Sequence, residues 1–491
     1  MFNLIKQQVP ATDAVHVAFP VGCLMDIPTG TFHRGFRGNW IMSGGYADID
    51  SVVGPGHTWK TEQALYPILT ILGHIPSAGA LIYDTENSLT YERVELRRPF
   101  YEGLENFDLR KEQYEESPRF YLTSSAKIDG DEFFEIVKGF AKVRQKEAKK
   151  QKKMTPFLDP MGEHHYAFPP GMFAIDSLSG MSISAVHENI MEKNNVGEGG
   201  ANVVFMKDGA AKTQLLIQLP NLPARAGIHV SMTAHVGSFI QMDQYAPKPI
   251  TLTHSKNGTK HKGVPEKFSF YNTHLKDTYS ATVLKNKTTK APEYPDGEAD
   301  KSPNTDLMLI TVVNSRNKNG PTGVTMPIVV SQREGVIPSL TEFNYIKNVG
   351  VAGTKKFGFL GNDQNYQLAL CPDIKLSRTT VRPKLRANRE LRVAAKLMAD
   401  LLQMKLLWDT SNDLWCTPEE LYEDIKNMGY DWNILLKSRY WWCFVDEEDQ
   451  QPANELTIMD LLKMRKGEYH PYWLEDDKRT VKKEFMKPIY A

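Results

Sequence analysis

The chain has 491 residues, more than one hydrophobic core is expected to span, so two or three domains are the starting expectation. A hydrophobic content of 41% with 10% aromatics excludes a disordered chain, and 59 basic against 59 acidic residues leave no global charge to argue for nucleic acid. Any basic surface has to be local. Cys23, Cys371, Cys416 and Cys443 lie far apart, which argues against a zinc ribbon or disulfide framework and for a reducing cytosol. The opening MFNLIKQQVPATD has no long apolar run after its lysine, so no secretory leader is expected. No window approaches the roughly 20 apolar residues of a membrane span, and no membrane partner is expected.

Residues 1–45 are rich in Gly and Pro and read as a lead-in with a hairpin or two. Residues 46–350 alternate short apolar runs with helical stretches such as Thr61–Leu72. The runs are IDSVV, GALIYD, GMFAID, IHVSMTA, DLMLITVV and VTMPIVV. Runs of this length, apolar throughout, suit strands buried on both faces of a mainly parallel sheet, with the helices as crossovers. The fold class expected is therefore α/β. Two insertions interrupt the pattern: 142–171, a charged helix end followed by a Pro-rich loop, and 246–306, polar and Lys-rich with few aliphatic residues. Residues 351–491 change texture. LRVAAKLMADLLQMKLLW (391–408) is an amphipathic helix, and TPEELYEDIKNMG has Thr417 as N-cap, Pro418 at the first position and Gly429 at the end. This segment is expected to be a separate, mostly helical domain whose core includes RYWWCF (439–444).

The sharpest local signal is VVGPGHTWKTE (52–62). An apolar strand runs into Gly54, Pro55, Gly56, His57, Thr58 and Trp59, then Lys60-Thr61 opens a helix. Backbone amides in such a loop, with the helix N-terminus, form a concave anion site. Lys60 would neutralise the terminal phosphates of ATP and the Thr61 hydroxyl would ligate Mg²⁺. Trp59 stands where the usual second glycine would be, so the loop alone does not separate a nucleotide site from a glycine-rich turn. The following strands supply the context. ALIYDTE (80–86) ends in Glu86, MFAIDS (172–177) in Asp176-Ser177 and IHVSMTAH (228–235) in His235. Open α/β sheets bind ligands at that carboxyl edge, and Asp176 takes the Mg²⁺-holding position of phosphate-binding NTPases. By contrast His164-His165 with Glu163 lie in a Pro-rich loop without a fourth ligand and read as surface residues.

Together these residues resemble the RecA family, most closely the UvsX-type phage recombinases, over roughly residues 20–345. The resemblance rests on the aromatic Trp59 before the phosphate-site lysine, on Tyr83-Asp84-Thr85-Glu86, on Ile175-Asp176-Ser177-Leu178 and on His235. It implies a RecA-like core with a mainly parallel twisted sheet flanked by helices. It implies Glu86 as the general base that orients the attacking water, and His235 as the sensor linking nucleotide state to a DNA-binding loop. Arg316 is implied as an arginine finger acting on a neighbouring subunit's ATP, with Asn314 in place of the first cation of that pair and Lys318 beyond it. Tyr91 is implied as the adenine-stacking ring. The partners implied are single-stranded DNA, further copies of the chain in a helical filament, and single-strand-binding and mediator proteins, in the cytoplasm of an infected bacterial host. The chain ends in the basic KRTVKKEFMKPIYA, so the acidic-tail regulation known in such recombinases is not expected.

Two loops of that family face the DNA. The first corresponds to Ser182–Gly200. The second begins past His235, where nine lysines between Lys248 and Lys290 meet only Glu266 and Asp277. Lys256, Lys260, Lys262 and Lys267 with Phe268 and Phe270 suit a single strand, since stacking is sequence-tolerant and contributes about 1–3 kcal/mol per base. The alternative is a hexameric replicative helicase of the DnaB class. RNKNGPTG (316–323) resembles the Arg-Asn-Gly-Pro-Thr-Gly of those helicases, while Asp84-x-Glu86 and a His rather than Gln at the sensor strand speak against it. A third reading is a non-catalytic relative that binds DNA or partners.

Overall fold

The computed structural model describes residues 15–182, 200–238, 252–256, 258–349, 351–352, 355–362, 365–408, 413–450 and 454–486. The first expected DNA loop, from 183 to 199, and Lys248 lie outside them.

Among the described residues fourteen strands precede the C-terminal region. The lead-in makes the hairpin expected there, β1 (Thr31–Arg34) with β2 (Trp40–Ser43). Next come β3 (Ile49–Gly54), β4 (Gly79–Asp84), β5 (Phe120–Ser124), β6 (Lys153–Leu158), β7 (His164–Ala167) and β8 (Gly171–Asp176). They are followed by β9 (Ile228–Ser238), β10 (Thr259–Lys262), β11 (His274–Val283), β12 (Leu307–Asn317), β13 (Val324–Ser331) and β14 (Gly335–Val336). One ten-stranded sheet takes the order β14-β13-β12-β11-β3-β9-β8-β4-β5, with β10 paired to the end of β9. From β11 to β5 all neighbours are parallel, whereas β12, β13 and β14 run antiparallel to theirs. The expected α/β class, a mainly parallel sheet flanked by helices, is what the chain forms.

The physical reason is visible along β8. Met172 and Ala174 enter one buried cluster while Phe173 and Ile175 enter another, so a strand apolar from Met172 to Ile175 is sandwiched on both faces. The helix Lys60–His74 covers the first face with Leu65, Ile68, Leu69 and Leu72; Phe133, Val137 and Ala141 of the helix Gly130–Lys146 cover the second.

Both expected insertions contain strands. The Pro-rich stretch 142–171 holds the β6–β7 hairpin, and 246–306 holds β10 and β11. The strand β11 is no surface loop: it lies between β3 and β12 in the middle of the sheet. Its sequence, HLKDTYSATV, hides this because Lys276 is neutralised within the core. Lys276 is 4% exposed, and its ammonium sits 2.7 Å from the carboxylate of Asp50, itself 2% exposed.

Beyond residue 350 the chain is mostly helical, as expected, after a small sheet of Phe359–Gly361, Tyr366–Leu368 and Cys371–Leu376. Thr417 caps the helix Pro418–Asn427 reciprocally with Glu420. The texture change near 350 does not interrupt the core, because one buried cluster runs from Val15 to Leu474. Within RYWWCF, Trp442 stacks on Phe19 at 5.1 Å and donates to the Ala18 carbonyl, so the segment is core shared with the N-terminal part.

Candidate nucleotide site

The loop after β3 closes on itself. Thr58 Oγ1 and Lys60 Nζ both donate to the Pro55 carbonyl, at 2.7 and 2.9 Å. His57 and Trp59 adopt left-handed backbone, with φ of 60° and 62°. The second of these explains how the loop dispenses with a glycine before Lys60: Trp59 takes the conformation a glycine would give, at a strain of about 1–2 kcal/mol, while its ring packs on the core. A Cβ on Gly56 would meet nothing within 4 Å, so the loop has an open mouth there. The helix that begins at Lys60 directs its first amides into the same space.

Three strand ends converge opposite this mouth. Thr61 Oγ1 donates to Asp176 Oδ2 at 2.6 Å, and Thr233 of β9 donates to the other oxygen of Asp176. Glu86 Oε1 lies 2.8 Å from His235 Nε2 and accepts from Ser177 Oγ at 3.0 Å. Asp84 organises the approach by accepting from the backbone amides of Glu86, Ser88 and Leu89. Thus Lys60, Thr61, Glu86, Asp176 and His235, each expected from its place at a strand end, are brought to one edge. Thr233, Ser177 and Asp84 complete it. Of these, Asp84 and Ser177 were visible in the sequence as neighbours of the strand-end carboxylates, while Thr233 carried no signal.

The electrostatics ask for a cation. Burial raises Asp176 above the usual carboxylate range, and the charges of Glu86 and Asp84 add to that rise against the hydrogen bonds from Thr233 and Thr61. Burial pushes Lys60 down, opposed by Asp176 and Glu86. At Glu86 burial acts upward, but the hydrogen bonds from His235 and Ser177 outweigh it and hold the carboxyl below its ordinary value. Glu86 therefore remains an anionic acceptor, suited to orienting a water. A hydroxyl and a carboxylate side by side form the hard-oxygen donor set that Mg²⁺ takes when it also bridges phosphates. ATP with Mg²⁺ fits this arrangement: the loop and Lys60 would hold the phosphates, and Thr61 and Asp176 the metal. The bound metal would neutralise charge at the phosphates.

From His235 a path leads to the basic hairpin. The His235 amide donates to Ser179 Oγ at 2.9 Å, and Ser179 Oγ donates to the Lys262 carbonyl at 2.6 Å. Lys262 pairs in register with His235, and Lys260 with Gly237. Lys256, Lys260, Lys262 and Lys267 are exposed.

Other expected residues stand elsewhere. Phe268 is fully buried beside His261 and offers no ring face to a base. Phe270 is 56% exposed, but its ring lies 5.9 Å from the Arg316 guanidinium rather than among the lysines of β10. Arg316 pairs with Leu275, which is level with Ser51, so it sits near the starting edge of the parallel strands and away from the loop of its own chain. Asn314 is 1% exposed, a position with no room for an unpaired cation. Tyr91 accepts from the Leu122 amide of β5 and packs edge-on to Phe120. Arg93 of the helix that Tyr91 opens and, just beyond it, Arg97 grip Glu62 in the first turn of the helix Lys60–His74, at 3.2 and 2.9 Å. The Asn-Gly-Pro-Thr-Gly turn joins β12 to β13 and seats on the N-terminal segment: Asn317 donates to the Pro28 carbonyl, and a Cβ on Gly320 would come 2.2 Å from it.

No protein-family model matches this chain, and no curated protein matches it. Among solved structures, the crystal structure of the RadB recombinase matches 60% of this chain and 92% of its own at 16% identity, with a TM-score of 0.31. Among the described residues no helix is long and apolar enough to cross a membrane.

Proposed function

We propose that the chain is an ATP-dependent recombinase of the RecA class, related to the UvsX-type phage proteins, that coats single-stranded DNA as a helical filament and exchanges strands. The observation that carries this reading is the continuous hydrogen-bonded connection from Glu86 through His235 and Ser179 to Lys262. A water-orienting carboxylate is tied to a sensor imidazole, and the imidazole's backbone is tied to a lysine-bearing hairpin. Loss of the γ-phosphate would be felt at Glu86 and passed to β10, loosening its grip on the strand. Lys256, Lys260 and Lys262 serve the phosphates of that strand, and Arg316 reaches a neighbouring subunit's nucleotide. Mg²⁺, mediator proteins and the cytoplasm of an infected bacterium complete the setting.

Strand exchange between homologous DNAs, assayed with ATP beside a duplex-unwinding assay, tests the proposal. Exchange with ATPase activity stimulated by single strands is expected. Unwinding without exchange would instead identify a hexameric helicase. Replacing Lys260 and Lys262 by Ala should reduce the slope of log K against log[salt] for single strands by about 0.7 per lysine.

A further inference from the structure

The first turn of the helix Lys60–His74 is anchored by Glu62, the residue after Thr61, which is 2% exposed. Arg97 commits its whole guanidinium there. Its Nε and Nη2 donate to the two oxygens of Glu62, at 3.2 and 2.9 Å, and its Nη1 donates to the Arg333 carbonyl at 3.0 Å. Such a forked pair fixes direction as well as distance. Gly335 closes the contact: its φ is +77°, and a Cβ there would come 3.2 Å from Glu62 Oε2. The turn between β13 and β14 therefore lies directly on the anchor of the phosphate-loop helix.

That turn is itself held from the C-terminal region. Glu334 is buried and accepts from Arg382 Nη2 at 2.5 Å and from Arg386 Nη2 at 2.8 Å, both in the helix Val381–Ala387. Arg382, buried as well, also forks onto Asp306, at 2.8 and 3.0 Å. Asp306 accepts in addition from Ser331 Oγ, which in turn accepts from the amides of Arg333 and Glu334. Burial acts upward on Asp306, but the hydrogen bonds from Arg382 and Ser331 outweigh it and hold the carboxyl below its ordinary value. Without the C-terminal helix, Glu334 would keep only Arg333, at 3.4 Å, as its ion-pair partner among the described residues. A buried carboxylate so poorly matched is strongly unfavourable. The turn would open to hydrate it, drawing the Arg333 carbonyl from Arg97 and Gly335 from Glu62.

We propose that the C-terminal helix Val381–Ala387 is a positioning element of the nucleotide site, with Arg382 as its principal residue. By holding Glu334 it fixes the turn that seats Glu62, and with Glu62 the direction of Lys60 and Thr61. This role rests on the reading of 54–61 as an ATP site. Coupling through a contiguous set of hydrogen bonds acts in both directions. ATP at the loop stabilises the docking of 381–387 as much as that docking favours ATP. The C-terminal region thereby takes part in the nucleotide cycle, although every site residue named above lies before residue 350.

Amide hydrogen exchange of the full, unmutated chain, with and without a non-hydrolysable ATP analogue and Mg²⁺, tests this role. Slowed exchange is expected both at 54–62 and at 381–387. Protection at 54–62 with none at 381–387 would overturn the coupling, whereas protection at neither would overturn the ATP reading on which it rests. In folded Arg382→Met protein, affinity for the analogue should fall about tenfold, within the usual range for coupled sites. Leu461→Ala opens a cavity in the helix Ile458–Arg465 of the same region. It should lower the thermal midpoint yet leave that affinity unchanged. Undiminished affinity in folded Arg382→Met protein, or an equal loss in both variants, would show that Arg382 serves stability alone. If Arg382→Met does not fold, the exchange measurement on the unmutated chain decides.

Discussion

Glu86 Oε1 and His235 Nε2 share a 2.8 Å hydrogen bond, although one residue follows β4 and the other lies within β9, two strands across the sheet. Each also holds a second partner, Ser177 for the carboxylate and Ser179 for the His235 backbone. The pair joins the position where a water would be oriented to the hairpin that carries Lys260 and Lys262. Glu86→Gln keeps the shape and an acceptor oxygen but removes the charge. Hydrolysis of ATP should fall by about 10²–10⁴-fold. Affinity for ATP should change little, since in the proposed function it is the loop and Lys60 that would hold the phosphates. The side chain is 44% exposed, so the thermal midpoint should hardly move. Single-turnover hydrolysis beside equilibrium binding of a labelled nucleotide separates these quantities, and loss of binding equal to loss of hydrolysis would refute the assignment.

The two glycines of the loop should behave differently. A Cβ on Gly54 would stand 2.7 Å from Thr58 Oγ1 and 3.0 Å from the Thr278 Cβ, whereas on Gly56 it would meet nothing within 4 Å. Gly54→Ala should therefore cost about 1–3 kcal/mol of stability, the usual range for overpacking. Gly56→Ala should leave the unfolding midpoint unchanged. Any nucleotide affinity it loses then comes from the methyl group intruding on the mouth of the loop. Equal unfolding midpoints for the two variants would contradict the packing described for Gly54.

Lys276 and Asp50 should reveal their pairing through non-additivity. Lys276→Met alone leaves an uncompensated carboxylate 2% exposed in the centre of the sheet and should cost about 3–5 kcal/mol. Asp50→Val combined with Lys276→Met removes both charges, and the double variant should recover most of that loss. Denaturant unfolding of the three proteins closes the cycle. Additive losses would mean that the ion pair does not hold β11 to β3.

The same pair shows why part of the fold was illegible. Strands such as GALIYD and GMFAID announce themselves because the residues before the terminal Asp form an unbroken apolar run, covered on both faces. Nothing local distinguishes HLKDTYSATV from a solvated loop, since its lysine becomes acceptable only once Asp50 of another strand lies 2.7 Å away. The site was more legible than the sheet around it. Lys60, Thr61, Glu86, Asp176 and His235 could be named because strand ends deliver polar groups to one edge, whatever the order of the strands. Stacking rings were not readable in this way: Phe268 and Tyr91 are aromatic residues next to chemistry, and only packing decides that one is buried and the other committed to Phe120. The continuity of the core past residue 350 was equally hidden, because contacts such as Trp442 with Phe19 join distant parts of the chain.

Acid should destabilise the protein through buried neutral histidines. His274 opens β11 with neither ring nitrogen hydrogen-bonded, and burial pushes it down from 6.5 to about 3, with the charge of Lys276 adding to that. Its folded value lies below its unfolded one, so the unfolded chain takes up the proton first. The stability it contributes is complete above about pH 6.5 and is lost progressively as pH falls toward about 3. Burial also raises Glu342 to about 8 and Asp460 to about 7, and these act in the opposite direction, favouring the fold as pH falls through those values. The net profile of the unaltered protein mixes the two signs. Comparison with His274→Leu at each pH cancels the carboxyls and isolates the histidine. The variant's stability relative to the parent should rise by up to about 1.4 kcal/mol per pH unit below pH 6.5. Denaturant unfolding at pH 7.5, 6 and 5 measures it. A gap between the two proteins that stays constant across that series would show that His274 takes up no more protons on unfolding than in the fold.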